Sequence, residues 1–190
     1  MSKVGSIGVV AALLLAGGCA TYAPASTNSV TGGQPAAAYA VPASRPEGQV
    51  RLSAPGLTRA PDGTRAVYLR MVVTNDSARS WLVDPAQQTI GFAGGAASAP
   101  FRVTRPRGTA PVPVHPLEPI AIAPGHSQVI DLYYPLPPGT KPSQLRPFEA
   151  AWVVNAGERT IGGRTQFRRV AADALLPCGP HQRCLATSSL

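Results

Sequence analysis

The sequence predicts an all-β fold, a single antiparallel sandwich of about seven to nine strands. Alternating apolar runs broken by turn residues recur through residues 48–170. Twenty-one prolines and nineteen glycines are scattered along the 190 residues. An interior proline costs a helix about 3 kcal/mol, so a helical bundle is excluded. No strand-like run leads into an amphipathic helix, which leaves a doubly wound α/β fold without support. The length suits one domain with tails, and a 44% hydrophobic fraction argues against global disorder.

Taken in order, residues 1–18 read as a signal peptide. Lys3 is their only charge, and Ile7 to Leu15 has the length of an h-region. That run is too short to span about 30 Å of hydrocarbon. Residues 19–47, rich in Ala, Pro, Ser, Thr and Gly, have the composition of a disordered linker. Such a tether would reach about 30 Å and let the domain rotate freely.

The domain proper is expected over 48–170. Its clearest strand is Arg65 to Asn75, with Val67, Leu69, Met71 and Val73 on one face and Tyr68, Arg70, Val72 and Thr74 on the other. Asn75-Asp76-Ser77 supplies a turn. Ser80 to Asp84 and Thr89 to Phe92 are short strands parted by Pro85, and Pro100 to Thr104 is another. Leu117 to Ala123 runs into the turn dipeptide Pro124-Gly125. Gln128 to Tyr134 alternates again, whereas Leu136 to Pro142 cannot be regular. Phe148 to Asn155 aligns Phe148, Ala150, Trp152 and Val154 as a core face, and Arg159 to Arg169 follows through a hairpin turn. Gly162-Gly163 reads as a bulge in that last strand. Ala171 to Leu176 is the one stretch suited to a short helix, and it opens a tail, 171–190, that holds a cysteine pair.

Groups for catalysis are sparse. No G-x-S-x-G occurs, and His126 and Ser127, being adjacent on a strand, point to opposite faces. His115 lies in a proline-rich stretch. Asp62, Asp76, Asp84, Glu118 and Glu158 sit in or beside turns, where such carboxylates cap backbone amides. Asp131 and Glu149 fall mid-strand opposite apolar faces and are expected to face solvent. Met71 reads as core filling and not as a copper ligand. No phosphate-cradling loop or dinucleotide fingerprint is present. The expectation is a protein with no catalytic residues, no metal and no cofactor.

Leu15-Ala16-Gly17-Gly18-Cys19 resembles the bacterial lipobox. The resemblance implies cleavage before Cys19 and acylation of its thiol. Ala20 stands where that sorting pattern would have Asp for inner-membrane retention, which implies the outer membrane. An exported chain makes a disulfide the natural reading of Cys178 and Cys184. Zinc, with His181 between them, is the rival and lacks a fourth ligand. Residues 48–170 resemble the immunoglobulin-like domains of envelope lipoproteins, through Val72-Val73-Thr74-Asn75 followed by Trp81, Ala123-Pro124-Gly125, and the closing hairpin with Trp152. That likeness implies binding or scaffolding more often than catalysis.

Seventeen cations, all arginine except Lys3 and Lys141, face nine carboxylates for a formal charge of +8. Export places the chain away from nucleic acid, so no nucleic-acid partner is expected. The anions of an envelope are lipid headgroups and acidic polymers. Arg102, Arg105 and Arg107, with Arg164, Arg168 and Arg169, form the candidate anion-binding set. The competing explanation is compositional, with arginine replacing lysine throughout. The function expected is a membrane-tethered, non-catalytic binding, scaffolding or accessory module, partnered by lipid through its anchor and by an envelope protein or anionic polymer. The alternative is an envelope enzyme or metal-handling protein with a pocket that sequence does not reveal.

Overall fold

Period-two alternation dictates the longest elements, because it lets one face of each be buried. The structure is a computed structural model that describes residues 21–31, 33–107, 110–114, 118–141, 145–170, 175–177 and 183–185. In chain order the strands are β1 (Thr21–Pro24), β2 (Ser29–Thr31), β3 (Gln34–Ala40), β4 (Gly48–Arg59), β5 (Arg65–Asn75), β6 (Trp81–Val83), β7 (Thr89–Phe92) and β8 (Arg102–Arg107). There follow β9 (Ala110–Val114), β10 (Ile120–Ile122), β11 (His126–Pro135), β12 (Phe148–Ala156), β13 (Arg159–Val170), β14 (Leu175–Pro177) and β15 (Arg183–Leu185). Among the described residues the only helical element is a 3-10 turn, Pro85–Gln87, whose N-cap Asp84 accepts from the Ala86 amide.

The fold is all-β and antiparallel. One sheet runs β1-β13-β12-β6-β10, with β7 also paired to β12, and the other runs β2-β3-β4-β5-β11-β8-β9. Both contribute to one core, with Val50, Leu52, Leu69, Met71 and Ile130 from the second sheet and Trp81, Ile90, Trp152 and Phe167 from the first. Met71 is fully buried, as its place in the alternation requires. Strand β12 is shared by β7 at Phe148–Ala151 and by β6 at Asn155–Ala156. The buried Gln88 side chain fills the gap, donating to the Val153 carbonyl at 2.9 Å and accepting from the Val153 amide at 3.0 Å. This satisfies strand groups that no neighbouring strand reaches.

Three expectations about the secondary structure need correction. Residues 21–47 are not a linker: β1 pairs with β13, β2 with β3, and β3 with β4. Tyr22, Ala23, Ala36 and Ala37 are buried: the alanines let these strands pack closely, and the Tyr22 ring packs against Phe148. The Asn28 side chain extends the pairing, bonding to both the amide and the carbonyl of Ala38. Second, Gly162 and Gly163 make no bulge, since the β12–β13 register runs unbroken through them. The break in register is in β4, between Ser53 and Gly56, where Pro55 has no amide to offer β5. Third, Leu175 and Leu176 form a strand with β15 and not a helix, while 171–174 lie outside the described residues.

Register defines two ends. At the first, β1 begins at Thr21 beside Val170, β5 and β12 begin, and β4, β7 and β11 finish. At the opposite end lie Gly48, Asn75, Trp81 and the β12–β13 hairpin.

Candidate functional site

On the outer face of the second sheet, β5 and β11 place Tyr68 opposite Tyr133 and Arg70 opposite Asp131. The two phenol rings stack with centroids 5.3 Å apart. Arg70 grips Asp131 with both prongs, Nε to Oδ1 at 2.8 Å and Nη2 to Oδ2 at 3.1 Å, while the Tyr68 hydroxyl donates to Oδ1 at 2.8 Å. Asp131 was expected to face solvent and is instead buried. The cross-strand partners cover it, and they satisfy its charge. The hydrogen bond to Asp131 raises the Arg70 pKa above its ordinary value. Burial first, and the neighbouring Asp131 charge second, push the Tyr68 phenol well above its usual range. A phenol so held stays protonated at neutral pH and acts as a donor, and not as a base or nucleophile. The cluster fastens β5 to β11. Sequence reasoning missed it because its four members lie on two strands joined only through register.

Concave surface lies elsewhere. At the first end, the loops after β7 and β11 enclose a groove of about 550 Å³. Phe92, Leu136 and Leu145 line it with prolines and small residues, and Arg146 is the charged member of that lining. A shallower hollow of about 350 Å³ adjoins it across Phe92, bounded by Phe148 and Glu149. Tyr22 ties the start of the described chain to this region. Its hydroxyl donates to the Leu145 carbonyl at 2.8 Å, and its ring lies 5.5 Å from Phe148, which in turn lies 5.8 Å from Phe92. At the opposite end a polar hollow of about 450 Å³ is lined by Glu47, Arg79, Glu158 and Arg159. Among the described residues, no three of His, Cys, Asp and Glu gather as a metal site would require.

The candidate arginines are split. Arg102, Arg105 and Arg107 lie on β8, next to one edge of the second sheet, and Arg164, Arg168 and Arg169 lie on β13 of the first. Arg102 is bonded to Asp62 at 3.0 Å, and Arg164 to Glu149 at 2.9 Å. Strand alternation turns Arg105 away from Arg102. Arg168 and Arg169 stand exposed at the first end, where Arg169 acts on Tyr22. The six therefore make no single face. Nothing is described of the Arg107 side chain, and Cys19, Cys178, His115 and His181 lie outside the described residues. Cys184 falls on β15, opposite Leu176. His126 is exposed, with Nδ1 2.8 Å from the Pro124 carbonyl. Trp152 is buried in the core, as the alternation predicts.

No known protein family, no curated protein and no solved structure matches the chain.

Proposed function

We propose that the protein is a lipid-anchored envelope module, immunoglobulin-like in its sandwich, that binds or holds a partner and performs no chemistry of its own. Cys19 is the acylated residue, Ala20 directs it to the outer membrane, and Cys178 and Cys184 close a disulfide in the tail. Its partners are membrane lipid and a further envelope component, protein or anionic polymer. The observation that carries the reading is the position of the lipobox-like LAGGC immediately before the first strand, with Ala20 alone between Cys19 and Thr21. A lipid at that position would anchor a folded domain directly. The groove beside β7 and β11 also suits binding: Phe92, Leu136, Leu145 and prolines line much of it, and its charged member Arg146 is a donor fork for carboxylate or phosphate.

Labelled palmitate and membrane fractionation test the anchor. The parent should carry label and sediment with membranes, while Cys19→Ser should do neither. A Ser variant that stays labelled and membrane-bound would overturn the reading. Unreduced intact mass, two hydrogens below the thiol form, would report the tail disulfide.

A further inference from the structure

We infer that the end of the domain where β1 begins is a docking face for an anionic lipid bilayer, so that the domain lies against the membrane and does not swing above it. This rests on the anchored reading, and two independent observations carry it further. The first is where the chain comes from. Cα atoms are about 3.8 Å apart, so covalent geometry keeps Cys19 within about 7 Å of Thr21. Thr21 adjoins Tyr22, which is bonded to Leu145 of the groove. A lipidated Cys19 would thus hold this end, groove included, at the bilayer surface.

The second observation is charge. Arg59, Arg65, Lys141, Arg146, Arg168 and Arg169 are all exposed, and strand register and loop position put them at the first end. Among the described residues, Asp62 and Glu149 are the carboxylates that ion pairing places toward this end, bonded to Arg102 and Arg164. The opposite end carries Glu47, Asp76 and Glu158, set against Arg45, Arg79 and Arg159. The described residues are therefore polarised, with their excess of positive charge around the groove. A basic rim about apolar residues matches the headgroup and acyl boundary of a leaflet containing anionic lipid. Each basic residue close to such a surface contributes about fivefold in partitioning.

The test uses the unlipidated mature chain, Cys19→Ser, sedimented with phosphatidylcholine vesicles with and without phosphatidylglycerol. Binding should need the anionic lipid and should weaken with salt, as screening over about 8 Å requires. Lys141→Gln, Arg146→Gln and Arg168→Gln together should reduce it by about a hundredfold. Arg45→Gln, Arg79→Gln and Arg159→Gln, removing the same charge from the other end, should leave it near the parent. A second readout changes no charge: in the lipidated chain on vesicles, Ala96→Trp at the groove should be quenched by brominated lipid, and Ala78→Trp at the far end should not. Equal losses in both triple variants, salt-independent binding, or equal quenching of the two reporters would overturn the inference. Palmitate labelling reads the anchor separately. Loss of label with vesicle binding intact would sink the anchor alone, and label retained with indifferent triple variants would sink the docking face alone.

Discussion

Alanine at Gly163 should destabilise the protein, against the usual sign of the change. Glycine inside a strand is ordinarily worse than alanine by about 0.5–1 kcal/mol. Here Gly163 pairs with Trp152, and a Cβ at 163 would stand 2.9 Å from Cε2 and Cζ2 of the indole and 3.0 Å from Nε1. Those are rigid ring atoms, and the ring has little room to retreat. Trp152 is 3% exposed, and its centroid lies 5.2 Å from that of Tyr39. Tyr39 is itself held by a 2.8 Å hydroxyl contact to Thr165. Overpacking of this kind costs about 1–3 kcal/mol, and rigid ring atoms under 3.0 Å place it in the upper half of that range, so after the alanine gain the net loss is about 1–2 kcal/mol. For a chain of this length that lowers Tm by about 2–8 °C. The assay is urea and thermal unfolding of four proteins: parent, Gly163→Ala, Trp152→Phe and the double variant. The smaller phenyl ring leaves space, so Gly163→Ala should be neutral or stabilising in the Trp152→Phe background, with a coupling of about 1 kcal/mol or more. A raised Tm in the single variant, or the same loss in both backgrounds, would refute the argument.

Tyr22→Ala should cost about 3–5 kcal/mol in urea unfolding, since it empties a buried site between Leu145 and Phe148. A loss below about 1 kcal/mol would mean that β1 is not part of the folded unit. At the outer cluster the two partners should differ. Asp131 is 7% exposed at its side chain and Arg70 33%, so Arg70→Ala strands a buried carboxylate and should cost about 3 kcal/mol or more. Asp131→Ala leaves a guanidinium that can turn to water and should cost about 1–2 kcal/mol. Equal losses, or the reverse order, would show that the asymmetry of burial does not govern the pair.

The sequence by itself determined the all-β class and most strands from β5 to β13. Val67, Leu69, Met71 and Val73 can be buried together only at period two, and Phe148, Ala150, Trp152 and Val154 likewise. Turn chemistry at Asp84 and the capping by Asp62 of the Thr64 amide were equally local, and so legible. What local signals could not supply was decided by pairing. Residues 21–40 have little strand propensity, and Ala-Pro composition reads as linker until β4 and β13 offer them edges to complete. Ala54-Pro55-Gly56 is a bulge inside β4, because Leu52 and Leu57 on either side are anchored to the same neighbour, β5. The burial of Asp131 depends on which residues face it from β5, and the division of the arginines on which sheet each strand joins. The polarity of the two ends belongs wholly to the tertiary structure. Charges spread from Arg59 to Arg169 along the chain meet at one end only because antiparallel register brings the starts and finishes of seven strands to the same place.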